Sequence, residues 1–157
     1  LYTVDDLENT LHAMQDKIDT LKKSASAKQA RIKEVDELLR MVDYYKSGKP
    51  AADKLKTIRF EKARQKYKAE HDDELRTFYM AERKLKPYFK DGKLPITAWC
   101  REREQLELEY KGIQTELSPL HVDVKKLWAI HYNIYEVQHE QERQSAATRQ
   151  KKQEIEH

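Results

Sequence analysis

Between Val4 and Val42 the apolar residues of this chain recur at alternating spacings of three and four. Val4, Leu7, Leu11, Met14, Ile18, Leu21, Ala25, Lys28, Ile32, Val35, Leu39 and Val42 keep the rhythm, and Lys28 alone is not apolar. A 3.5-residue apolar repeat sustained over this length specifies a helix whose single stripe is buried in a left-handed coiled-coil seam. Thr3, followed three residues later by Asp6, reads as the N-cap and an acidic first turn of that helix. Ser47-Gly48-Lys49-Pro50 reads as its stop, with glycine supplying a left-handed cap and proline unable to continue.

A second clean seam runs through Trp99, Arg103, Leu106, Tyr110, Ile113, Leu117, Leu120, Val124, Leu127, His131 and Ile134. Pro119 lies off that seam and leaves its phase unbroken, which predicts a kinked continuous helix rather than a loop. Between the seams, Phe60, Ala63, Tyr67, Leu75, Phe78, Leu85 and Phe89 form a sparser, more aromatic pattern. Leu55 and Ile58 point to a different face, and Pro87 and Asp91-Gly92 close the segment. The expected fold is all-α: an elongated antiparallel three-helix coiled-coil-like bundle over 1–137, with helices at about 4–45, 51–90 and 96–136. The first two helices would each be roughly 60 Å long at ~1.5 Å per residue. After Val137 the sequence turns polar, and 138–157 reads as a tail that is either a solvated helical extension or disordered.

Composition agrees with long helices. Charged residues are 38% of the 157, with three glycines and four prolines, so little of the chain is set aside for turns or for a compact core. The single cysteine, Cys100, allows no internal disulfide and no thiolate zinc site. There is no apolar run long enough to span a bilayer and no signal-peptide pattern, and a bacterial cytoplasmic location is expected. Leu rather than Met at position 1 is expected of a piece of a larger protein. The net charge of +3 is unevenly spread: 48–94 holds 14 basic and 8 acidic residues, while both flanking segments are slightly acidic.

Candidate chemistry is sparse. His139–Arg143 resembles a zinc-protease helix, but Arg143 stands where the second histidine ligand would be, so no metal site is expected. His12, His71, His121 and His131 share no ligand spacing, and His131, on the seam, reads as a hydrogen-bonded core residue. Tyr44-Tyr45 lacks the cationic or metal cradle that a tyrosine nucleophile needs, and reads as a packed helix end. Without a phosphate loop, a nucleophile elbow or a framed carboxylate pair, neither catalysis nor a cofactor is expected. The segment Lys54–Lys68 is different: Lys54, Lys56, Arg59, Lys62, Arg64, Lys66 and Lys68 face a lone Glu61. On a helical wheel Arg59, Lys62 and Lys66 form a stripe opposite a packing face of Phe60, Ala63 and Tyr67, and Arg64 and Lys68 form a second rail. Exposed cation rows can track phosphates without sequence preference. The ordinary alternative is a solvated face with carboxylate partners on adjacent helices.

Three stretches carry a family resemblance: IRFEKARQKYKAEHDDELRTFYMAERKLK (Ile58–Lys86), DGKLPITAWCREREQLELEY (Asp91–Tyr110) and SPLHVDVKKLWAIHYNIYEVQHEQE (Ser118–Glu142). They resemble the C-terminal helical region of relaxases, the mobilization nucleases of conjugative and mobilizable elements such as plasmids and transposons. Most of 55–142 is covered, by texture rather than by catalytic motifs. The resemblance implies a DNA-nicking parent whose tyrosine, divalent metal and histidine cluster lie in an N-terminal domain, so no catalytic residue carries over. What remains would be a non-catalytic accessory region that handles DNA, self-associates or docks to the transfer machinery. A structural coiled-coil spacer that makes protein contacts without nucleic acid is the alternative.

Overall fold

A computed structural model describes residues 3–156, and its elements are helical: α1 (Val4–Thr57), α2 (Glu61–Glu70), α3 (Asp72–Leu85), a 3-10 turn (Lys86–Tyr88) and α4 (Ile96–Glu156). Residues 1, 2 and 157, which the expected boundaries include, lie outside the described residues. The chain divides into two compact units, one of Ala27–Tyr110 and one of Leu1–Ser26 with Lys111–His157.

Helix α1 starts where the sequence places it. The Asp6 backbone N–H donates to the Thr3 hydroxyl at 3.1 Å, and the Thr3 N–H donates back to the Asp6 carboxylate at 3.1 Å. This reciprocal box satisfies two donors that the helix itself leaves orphaned. The hydrogen bond from the Thr3 backbone N–H, helped by the Thr3 side chain, holds the Asp6 carboxyl below the usual carboxylate range.

In the first-and-last unit, Leu7, Leu11, Ile18 and Ala25 of α1 and Ile113, Leu117 and Val124 of α4 are buried. All are seam positions. His131 sits half-buried on the same seam and its Nε2 lies 3.1 Å from a Glu8 carboxylate oxygen, a polar partner for an otherwise apolar stripe. Pro119 lies inside α4, whose helix continues without interruption through the polar segment to Glu156.

In the central unit, ion pairs link α1 to α4: Lys28 with Glu109, Arg31 with Glu102, and Asp36 with Arg103. Hydrogen bonds from Arg31 and Lys28 respectively hold the Glu102 and Glu109 carboxyls below their ordinary range. Two apolar clusters form the core. Val35, Met41, Val42, Ala81, Leu85 and Trp99 make one, and Ala51, Ala52, Leu55, Leu75 and Phe78 the other, with Tyr45 packed against both.

That second cluster overturns the expected stop at Ser47–Pro50. Helix α1 passes through Gly48 and Pro50 to Thr57, so the helices expected at 4–45 and 51–90 are divided elsewhere. Gly48 is buried at a close approach: a Cβ there would meet the Phe78 Cβ at 2.6 Å and the Glu74 carbonyl oxygen at 3.2 Å. Its lack of a side chain lets α3 lie against α1, while Pro50 is exposed. The real break is Ile58-Arg59-Phe60, after Thr57 turns its hydroxyl onto the Lys54 carbonyl. A second break falls at His71, whose backbone (φ −117°, ψ 26°) separates α2 from α3. Asp91 and Gly92, both at positive φ (52° and 73°), close a tight turn in which Lys90 and Lys93 exchange two backbone hydrogen bonds.

Two outcomes follow from the continuous α1. Gly48→Ala should destabilise the chain by about 1–2 kcal/mol, because overpacking against Phe78 outweighs the gain in helix propensity. Pro50→Ala should stabilise it, by at most ~3 kcal/mol, since it restores a helical hydrogen bond at an exposed site. Urea unfolding checks both, and a neutral Pro50→Ala would place a turn there after all. The Lys28 side chain is 25% exposed on the seam. Lys28→Leu should therefore raise Tm by roughly 2–4 °C, the shift that ~1 kcal/mol of added apolar burial gives a chain of this size; an unchanged or lower Tm would show the seam open there.

Candidate nucleic-acid interface

Helix α2 is an exception in a molecule otherwise organised by seams, because none of its ten residues is buried. The expected Phe60/Ala63/Tyr67 packing face does not form. Phe60 is 79% exposed, Ala63 is exposed, and only Tyr67 is half-buried, stacked on the His71 ring at 4.1 Å. The reason is the break at 58–60. Phe60 becomes the N-cap of a new helix (φ −87°, ψ 132°) instead of an interior position on a continuing stripe.

The seven sequence candidates fall into two groups. Arg64 is half-buried, and its guanidinium donates to the Ile58 carbonyl at 3.2 Å and the Leu55 carbonyl at 3.4 Å. Those carbonyls belong to the end of α1, where the last C=O groups lack helical partners and the dipole favours a cation. Arg64 is thus a helix cap supplied from the next helix. The Lys54 ammonium sits over the Tyr67 ring, 5.7 Å from its centroid. Both positions are structural.

The other five, Lys56, Arg59, Lys62, Lys66 and Lys68, are exposed. Cations elsewhere find carboxylates, as in Lys49–Asp53 at 3.6 Å, Arg76–Asp72 at 2.5 Å and Lys84–Glu37 at 3.7 Å. Among the described residues no ion pair engages these five, so the expected partners on adjacent helices are not beside them. Arg59 lies in the turn and the three lysines on α2, and Phe60 stands exposed among them. Sequence reasoning missed Phe60 as an accessible aromatic. The slip of heptad phase just before it was the available signal.

Little else invites chemistry. Among the described residues no three His, Cys, Asp or Glu side chains gather as a possible metal site. A concavity of about 640 Å³ is lined by Gln141, Gln144, Ser145, Thr148 and Arg149, all from one helix, and so is open surface. No helix among the described residues is long and apolar enough to cross a membrane. Compared with protein-family models, curated proteins and solved structures, the chain matches none.

The division between capping and free cations is testable. Arg64→Gln should lower stability by about 1 kcal/mol, the net worth of a partly exposed hydrogen bond from a charged group, whereas Lys66→Gln should leave it within ~0.5 kcal/mol. Equal effects in thermal melts would erase the distinction.

Proposed function

We propose that this chain is a non-catalytic helical interaction region of a DNA-mobilization relaxase, and that α2 and the turn before it contact DNA. The observation that carries the reading is α2, in which Arg64 and Tyr67 are only half-buried while Lys62, Lys66 and Lys68 stand exposed beside Arg59, Lys56 and an exposed Phe60. A surface of this kind supports two contributions. The cations neutralise phosphates and release counterions, which gives affinity without sequence preference. Phe60 offers a face on which an unpaired base can stack, which favours single strands. The resemblance of Ile58–Lys86 to relaxase helical regions supports the same choice, since a nicked strand is such a ligand. Around it, the proposed scaffold is an antiparallel three-helix arrangement with α2 and α3 as its broken second member and α4 bent near Pro119. A scaffold that docks to transfer-machinery proteins in the bacterial cytoplasm is the second reading, favoured by the seams themselves.

The experiment is DNA binding by the 157-residue chain across a salt series. Changing Arg59, Lys62 and Lys66 to Gln leaves every core residue untouched, so helicity should persist. Affinity should fall, and the slope of log affinity against log salt should flatten by roughly 2–3 units, at ~0.7–0.9 per phosphate contact. Phe60→Ala should weaken single-strand binding by about 1–3 kcal/mol and duplex binding far less. No binding by the unaltered chain at low salt would leave the docking scaffold as the better reading.

A further inference from the structure

The buried seam of α4 is not its only regular row. One residue past Val124, Leu127, His131 and Ile134 stand Lys125, Trp128, Tyr132 and Tyr135, and His139 continues the row with the same alternation of four and three. A shift of one residue turns about 100° around a helix, so this second row occupies the face beside the seam. Its aromatics are in solvent: Trp128 is 50% exposed, Tyr132 61% and Tyr135 51%. Within the helix they already make ring contacts, Trp128 edge-on with the His131 ring at 5.4 Å and Tyr135 tilted against the His139 ring at 4.1 Å. Single exposed aromatics are ordinary, but three at coiled-coil spacing have the form of a seam without its second helix.

We propose that this row is a self-association surface, on which a second copy of the chain lays its own α4 antiparallel about a two-fold axis at Tyr132. The occupant is argued from the charges at the ends of the row, Lys125 at one and Glu136 and Glu142 at the other, which an antiparallel second copy brings together. About that axis Tyr132 meets Tyr132 of the second copy, and Trp128 falls within one residue, about 1.5 Å along the helix, of the level of its Tyr135. Lys125 falls opposite His139, between Glu136 and Glu142 of the second copy, so its charge meets acid at both sides. A parallel pairing would instead set Lys125 on Lys125 and each carboxylate on its own kind. An isologous contact of this type needs one patch that complements itself, and Trp and Tyr are the side chains most often found carrying such contacts.

The full chain should sediment as a dimer that dissociates on dilution. Tyr132→Glu places two carboxylates against each other on the axis and should weaken dimerisation by roughly 100-fold or more. Because the site is exposed, circular dichroism should show the helix content unchanged. Register is read by cross-linking in a Cys100→Ser background, since Cys100 is a free, exposed thiol. Tyr132→Cys should form a disulfide-linked dimer on mild oxidation. Trp128→Cys should not, because its counterpart lies about 12 Å away along the axis, beyond the ~7 Å that a disulfide allows. A chain that stays monomeric at every concentration overturns the proposal, as does Trp128→Cys cross-linking as readily as Tyr132→Cys.

Discussion

A helix as long as α1 or α4 can bury one stripe of its surface, and everything else in the molecule is arranged around which stripe that is. Apolar residues spaced at 3.5 put the stripe at a fixed face, and off it α1 buries Met41, Ala51, Ala52 and Leu55 only in the central unit's apolar clusters. The twelve seam positions of α1 are all buried or half-buried, Lys28 included. Even the polar members obey the constraint by bringing a partner: Lys28 meets Glu109, Arg103 meets Asp36, and His131 meets Glu8. Each of these pairs lies at the seam's edge, where burial is partial and desolvation is modest.

The seams were legible in the sequence because the signal is repeated. A register error by one residue would turn the whole stripe to solvent, so the pattern admits a single solution. Helix ends carry no such redundancy. Gly48 and Pro50 are the strongest local stop signals, yet glycine serves two purposes that look alike in sequence, a left-handed cap and a place where another backbone comes close. Which one applies depends on Phe78, thirty residues on, and its meeting with Gly48 is a tertiary fact. Beyond it, Ala51, Ala52 and Leu55 bury enough apolar surface against Leu75 and Phe78 to carry α1 past its proline. The Asp91-Gly92 turn and the Thr3–Asp6 box were readable for the opposite reason, since both are complete within four residues.

The candidate interface was half legible. Composition located the basic segment 54–68, because charge density needs no fold to be counted. It could not sort the cations. Arg64 differs from Lys66 only in that the end of α1 lies within its reach, and Lys54 differs from Lys56 only in facing the Tyr67 ring. Phe60 was misplaced by the same logic that placed the seams: an aromatic three residues from Ala63 and seven from Tyr67 looks buried until the chain breaks just before it. The second row of α4 was in plain sight as spacing, but the stronger apolar row beside it accounts for the same helix.

Those exposed positions are informative because the fold does not need them. At a solvated helix site the residues that cost least are straight-chain helix formers, and Glu, Lys, Gln and Arg fill most such sites here. Trp, Tyr and Phe have lower helix propensity and leave apolar surface in water, so each is slightly unfavourable where it stands. An isolated instance carries no weight, since much of any protein surface is apolar. Repetition at 4-3 spacing along Trp128, Tyr132 and Tyr135 is another matter, because independent surface drift has no reason to respect the period of a partner helix. The five cations near α2 invite the same reasoning. Like charges at helical spacing, such as Lys62 and Lys66, repel one another weakly, and an anion lying along them would relieve that repulsion. In both places exposed residues hold a small unfavourable energy, but through different chemistry, aromatic in one and cationic in the other.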